Sequence, residues 1–228
     1  MTINILYLYH DLMNLYGESG NLKAIVYSLS NQNIDVNIDK LSLEDNIDFS
    51  KYNLIYIGSG TEKNQLIALE NMLKYKEQIK EYINNDKFIL ATGNSFELFG
   101  EKIGNNRALG LLKFQSLYLE KRKVGDYIKS SAYGQIVAFE NRGSKIVNNS
   151  NPFLDEEIGV HYKNLYGTYL IGPLMVRSPE FNQYFITQLI NSIDENYTIK
   201  KFDLELNEKA NLSYFKTYYP QKPYASLK

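Results

Sequence analysis

Residues 88–100 read FILATGNSFELFG: an apolar run, Phe88-Ile89-Leu90-Ala91, enters Thr92-Gly93-Asn94-Ser95 and leaves through Phe96-Glu97-Leu98-Phe99. The pattern predicts a strand, a sharp turn and a helix, the arrangement on which many α/β enzymes mount a nucleophile. The turn holds Gly, Asn and Ser, so it reads either as a working site or as the frame of one with the chemistry removed.

Outward from this turn the chain alternates. Residues 3–9 read as a first strand, β-branched and aromatic. Residues 19–30 read as a helix, with Leu22, Ile25, Val26 and Leu29 on one face. Residues 34–38 alternate like a strand, and Leu54-Ile55-Tyr56-Ile57 is another, stopped by Gly58-Ser59-Gly60. Residues 62–84 read as one long helix carrying Leu66, Leu69, Leu73, Tyr75 and Ile79. This β-α-β-α-β order implies a mixed, mostly parallel central sheet with helices on both faces.

Beyond about residue 110 the pattern changes. Residues 114–122, 127–131, 135–140 and 145–147 read as shorter strands with turns between. Residues 164–171 form a further strand ended by Gly172-Pro173. Residues 179–193 are helical with Pro179 near the first turn, and residues 202–218 form a last helix. The Asn-rich residues 147–152 read as a loop. With no repeat or linker, one α/β domain is expected over residues 1–228.

Composition narrows the function. The 228 residues carry a formal charge of −1. A nucleic-acid binder would show a basic face, so none is expected. No apolar stretch approaches the ~20 residues of a membrane span. The N-terminus lacks a basic n-region and cleavage site, which points to the cytoplasm. The absence of cysteine excludes disulfides, thiolate metal sites and cysteine nucleophiles. The two histidines, His10 and His161, lack metal-ligand spacing, so neither metal nor cofactor is expected.

In doubly wound sheets, ligands sit at the carboxyl ends of strands. Three loops belong there: residues 58–62, 92–95 and 171–173. The first two precede helices, whose free N–H groups favour an oxyanion or carboxylate.

Further motifs carry a resemblance. They are Leu12-Met13-Asn14-Leu15-Tyr16 with Ser19-Gly20-Asn21, Ile57-Gly58-Ser59-Gly60-Thr61-Glu62-Lys63-Asn64-Gln65, and Gly93-Asn94-Ser95-Phe96-Glu97-Leu98-Phe99-Gly100. Gly110-Leu111-Leu112, Arg122-Lys123-Val124-Gly125-Asp126 and Phe139-Glu140-Asn141-Arg142-Gly143 follow. The longest block runs from Gly159 to Pro173. The chain resembles the class I glutamine amidotransferases of the cobyric-acid-synthase-like branch, and within it the GatD-like glutaminase subunits of lipid II isoglutaminyl synthase. The resemblance spans nearly the whole chain and implies a flavodoxin-like core.

Such enzymes hydrolyse the side-chain amide of glutamine and pass ammonia to a synthetase partner. A Cys on the elbow attacks, a His moves the proton and backbone N–H groups hold the oxyanion. In GatD-like proteins the elbow resembles Cys-Gly-Gly-Tyr-Gln and the base lies in Gly-Thr-Tyr-Leu-His-Gly-Pro. On this chain the nucleophile falls on Gly93 and the base on Ile171. A third acid falls on Pro173, so an acid would come from the partner. The resemblance implies a MurT-like Mur ligase subunit as that partner, in cell-wall precursor amidation. Glycine adopts the strained elbow freely, where another residue would cost roughly 1–3 kcal/mol. Losing both groups implies lost hydrolysis and no catalytic residue.

A ligand site outlives the loss in this reading. Gly58, Ser59, Gly60, Asn94 and Ser95 would frame the old oxyanion site. Arg122 matches an Arg that brings glutamine in, so glutamine or a similar small carboxylate or amide is the expected ligand. Glu97 stands where the family has Gln and is read as a helix cap. His161 is read as structural. Two alternatives stand beside this one: relocated chemistry on Ser95 and His10, completed by a partner, and a small-ligand sensor unrelated to the cell wall. The Tyr-rich residues 214–224 read as an interface or as a tail packed on the domain itself.

Overall fold

In the computed structural model, which describes residues 1–221, four strands lead the chain, and all but the second, an exposed edge strand, are apolar runs buried on both faces. They are β1 (Thr2–Leu8), β2 (Asp35–Leu41), β3 (Leu54–Ile57) and β4 (Phe88–Thr92). Strands alternate their side chains, so each run feeds two cores. Leu6, Leu8, Ile55, Ile57, Ile89 and Ala91 face α2 (Glu62–Leu73) and α3 (Lys76–Asn84). Ile5, Tyr7, Leu54, Tyr56, Phe88 and Leu90 face α1 (Ser19–Asn31) and α5 (Pro179–Asn191).

The remaining elements are β5 (Lys102–Ile103), β6 (Asn106–Arg107), β7 (Gln115–Ser131), β8 (Gly134–Val147), β9 (Pro152–Phe153), β10 (Asp155–Tyr162), β11 (Leu165–Thr168), β12 (Leu170–Ile171), α4 (Leu174–Arg177) and α6 (Glu205–Tyr218). The larger sheet runs β2-β1-β3-β4-β11-β10-β9, and the smaller runs β12-β8-β7-β5-β6. β2, β1, β3, β4 and β11 are mutually parallel, whereas β10 and β9 add antiparallel. The mostly parallel α/β sheet is as expected.

Four local expectations are corrected. The long helix over 62–84 is two, broken at Lys74-Tyr75. Tyr75 turns aside to pack edge-on against Phe49 and to donate to the Asp45 carbonyl (3.2 Å). The break re-aims Ile79, Tyr82 and Ile83 into the core.

The elbow is followed by a 3₁₀ segment, residues 93–99, instead of an α-helix. The carbonyls an α-helix would need next are taken by the returning chain: Leu109 N–H donates to Leu98 O (3.0 Å), and Leu111 and Leu112 N–H to Phe99 O (3.0 and 2.9 Å).

The four short strands after residue 110 are two long ones, β7 and β8, paired as one ribbon. The turn-like Gly125 and Asn141-Arg142-Gly143 lie within that ribbon. A register shift between Tyr118 and Lys123 absorbs the irregularity, and Arg122 Nε donates to Asn141 Oδ1 across it (2.8 Å).

The single strand expected over 164–171 is split at Tyr169. β11 pairs with β4, and β12 crosses to pair with β8 in the other sheet. Thr168 Oγ1 accepts from Leu170 N–H (3.2 Å), which holds the corner. Short strands β5, β6 and β9, and β10, have no clear sequence signal. Of the Tyr-rich segment, residues 214–218 end α6. Tyr214 and Tyr219 both donate to Asp126 Oδ2 on β7 (2.6 and 2.5 Å). Residues 222–224 lie outside the described residues.

Candidate active site

The strand ends β1, β3, β4 and β12 converge on one edge of the larger sheet. The chain from Tyr9 to Glu18 folds across the Gly58–Gly60 loop, with Leu15 N–H donating to Ser59 O (2.9 Å) and Asn64 Nδ2 to Leu12 O (3.0 Å). A Cβ at Gly58 would meet Met13 O at 2.5 Å, and one at Gly60 would meet Met13 Sδ at 2.3 Å. These glycines are set by close approach of the Tyr9–Glu18 chain. Gly58→Ala is therefore expected to cost about 2 kcal/mol or more, read as a lower urea midpoint at unchanged slope.

Gly93 has a φ of +65°, so the elbow keeps the backbone that favours glycine. Its missing side chain has not left a void. A Cβ there would lie 2.2 Å from both Cβ and Oγ of Ser59. Ser59, 4 % exposed, stands in the space a nucleophile would use. Ile171 is buried opposite Phe139 and offers no proton acceptor.

Of the expected oxyanion donors, the Gly60 N–H is already engaged. Gly60 N–H donates to Asn94 Oδ1 (3.0 Å), and Asn94 O accepts from Gln65 Nε2 (2.6 Å). Arg122 at the rim is held by Glu62 Oε1 (2.6 Å) and Asn141 Oδ1 (2.8 Å). Both members of the Arg122–Glu62 pair are nearly half exposed, so it is worth at most about 1 kcal/mol. The cavity among Ser59, Gly93, Asn94, Arg122, Ser144 and Tyr169 measures only about 10 Å³. That is about the room one water needs.

Ser95 does not face this cavity. It is fully buried, with its hydroxyl 3.0 Å from Ile57 O and 2.9 Å from Thr92 O. His10 packs near Tyr7, with ring centroids 6.1 Å apart, and no hydrogen bond joins it to Ser95. His161 stacks on Tyr166 at 4.2 Å, with Nδ1 3.2 Å from the Tyr133 hydroxyl. Burial lowers its pKa.

Glu97 caps no helix; it is 1 % exposed and anchors a buried network behind the elbow. Its Oε1 accepts from Tyr169 (2.6 Å) and from Ser144, and its Oε2 from Gln65 Nε2 (2.6 Å). Burial raises its pKa against the pull of these donors. The Arg142 guanidinium lies over the Tyr169 ring at 4.9 Å and pairs with Glu140 (2.9 Å).

A second buried carboxyl, Glu18, lies on the other side of the elbow. Its Oε2 accepts from Thr92 Oγ1, Tyr56 OH (3.1 Å) and Asn21 Nδ2 (3.5 Å). Burial pushes its carboxyl up to about 7. Sequence reasoning missed Glu18, Gln65, Ser144 and Tyr169. They are scattered along the chain, and polar residues at unremarkable spacing give no signal until the strands assemble. Among the described residues, no group of three His, Cys, Asp or Glu is placed to hold a metal ion. No helix among them is long and apolar enough to cross a membrane.

A parallel sheet, a glycine elbow at the end of β4 and a returning β11–β12 segment together define a glutamine amidotransferase domain of the flavodoxin-like class I type. The sequence profile of the CobB/CobQ-like glutamine amidotransferase domain matches residues 4–178, and the chain belongs to that family. It is 29% identical to the lipid II isoglutaminyl synthase (glutamine-hydrolysing) subunit GatD of Staphylococcus aureus, covering 89% of this chain and 92% of that protein. It is 30% identical to the GatD of Streptococcus pneumoniae, covering 81% of this chain and 79% of that protein. A crystal structure of a glutamine amidotransferase from Thermotoga maritima shares the fold at a TM-score of 0.53 and 11% identity, over 92% of each chain.

Proposed function

We propose that this chain is a GatD-like subunit that no longer hydrolyses glutamine and acts as the non-catalytic partner of a MurT-like Mur ligase in lipid II amidation. One observation carries the loss of hydrolysis: the Ser59 side chain occupies the nucleophile's place beside Gly93. An attacking group there needs an adjacent base, and Ile171 is not one. The near-absence of free volume supports a role through the protein's surface over one as a small-ligand sensor. In this reading Gly58, Ser59, Gly60, Asn94 and Arg122 keep the frame of the glutamine site. A small carboxylate at Arg122 would compete with Glu62.

The test follows side-chain ¹⁵N-labelled glutamine, with the protein alone and with a Mur-ligase-like subunit from the same source. The expected result is no ammonia above buffer in either case, with co-purification of the two subunits. Ammonia release by the unmodified chain overturns the loss of hydrolysis. Failure of the subunits to associate overturns the partnership.

A further inference from the structure

Glu18 ties together most of the segments that build the candidate site. It precedes α1, and its carboxyl takes Thr92 at the end of β4, Tyr56 of β3, Asn21 of α1 and the Ser59 N–H. Tyr56 OH also lies 2.8 Å from the Glu18 carbonyl, and Asn21 Oδ1 accepts from Met175 N–H at the start of α4 (2.8 Å). Four segments thus meet at one fully buried carboxyl, and a fifth, α4, is joined to it through Asn21.

Among the described residues, no positive charge faces it. The titratable neighbours are Tyr7 of β1 and Tyr56 of β3, both phenols. β4 contributes Thr92, α1 contributes Asn21, and the start of α4 contributes backbone. His10 touches the Tyr7 ring, and among the described residues no ion pair joins it to Glu18. Glu18 Oε1 and the Tyr7 hydroxyl are both buried without a hydrogen-bond partner. A protonated carboxyl has a donor to offer in such a place, whereas a carboxylate buries a charge that hydrogen-bond donors, and no cation, meet.

We propose that Glu18 is a proton-operated latch for the site's loops: protonated, it locks the Tyr9–Glu18, Gly58–Gly60 and Thr92–Ser95 segments together, and ionised, it loosens them. Burial sets the titration of this carboxyl at about 7, above its value in the unfolded chain. Its contribution is therefore complete below the ordinary glutamate range and is lost as pH rises through 7. The latch stands whether or not glutamine is hydrolysed.

Amide hydrogen exchange of the full chain, corrected for intrinsic rates, reads it between about pH 5.5 and about 8.5. Protection of residues 9–18, 56–60 and 92–96 is expected to fall about tenfold per pH unit as pH rises toward the Glu18 midpoint, and to level off above it once Glu18 is ionised. Residues 76–84 of α3, which carry no histidine, serve as the internal reference. Glu18→Gln, near-isosteric and uncharged, is expected to hold these segments at the low-pH level throughout. The ¹³Cδ signal of Glu18 should titrate near neutrality. A flat wild-type profile, a Glu18→Gln profile that still follows pH, or a Glu18 signal titrating in the ordinary glutamate range each overturns the latch.

Discussion

Replacing Gly93 with cysteine and Ile171 with histidine is expected to yield no glutaminase until Ser59 is also cut back to glycine. A cysteine Cβ on the present backbone would lie 2.2 Å from the Ser59 Cβ and Oγ. The doubly substituted protein must shift backbone or swing its elbow aside, at an overpacking cost of about 1–3 kcal/mol. The positive φ of the elbow adds roughly 1–3 kcal/mol for any side chain. Ser59→Gly removes the two atoms at 2.2 Å and leaves the residue-59 Cα at 3.0 Å, a contact that a few tenths of an ångström relieve. Thermal melts, alkylation of the introduced thiol and ammonia release separate the cases. The double variant should melt low and alkylate slowly. The triple variant should recover stability and a reactive thiol, and release ammonia once a partner is present. Equal turnover by double and triple variants would show that Ser59 is not the block.

Truncating Glu97 to alanine is expected to destabilise the fold by about 3–5 kcal/mol, because Tyr169, Ser144 and Gln65 lose a shared buried acceptor and a cavity opens. Glu97→Gln should stay within about 1 kcal/mol, since one amide oxygen can serve Tyr169 and Ser144 while the Gln65 amide turns over. Their pH dependence also differs. Burial raises the Glu97 pKa, so its share of stability is full below the ordinary glutamate range and falls as pH rises through the folded value. Urea melts should therefore show wild type losing ground to Glu97→Gln as pH rises. A Glu97→Ala protein as stable as wild type would show that the network contributes little.

The two carboxyls, Glu18 and Glu97, flank the elbow and share a logic. Each is buried with donors but no cation of its own, and each holds strand ends that carried the family's chemistry. The frame of the elbow therefore belongs to the core. A side chain at Gly93 and the one at Ser59 would compete for one small volume. Removing either carboxyl would unfasten several segments at once.

The alternation of strands and helices up to residue 92 was legible because parallel strands buried on two faces require unbroken apolar runs, and Leu54–Ile57 and Phe88–Thr92 are such runs. The sharp turn at Gly93 was legible because a glycine directly after an apolar run marks a change of direction, and its φ is positive. Partner choices across space were not. Whether residues 62–84 make one helix or two depended on Phe49 and Asp45, far away in the chain. Whether Glu97 caps a helix or anchors a network depended on Ser144 and Tyr169, delivered by a ribbon and a sheet-crossing corner. The sequence by itself determined the family and the sheet, and put glycine at residue 93 and isoleucine at residue 171, through its motifs and the periodicity of its side chains. Only the tertiary structure decided that Ser59 fills the vacated place and that the site is tied at Glu18, because volume and burial arise from contacts that no single segment holds.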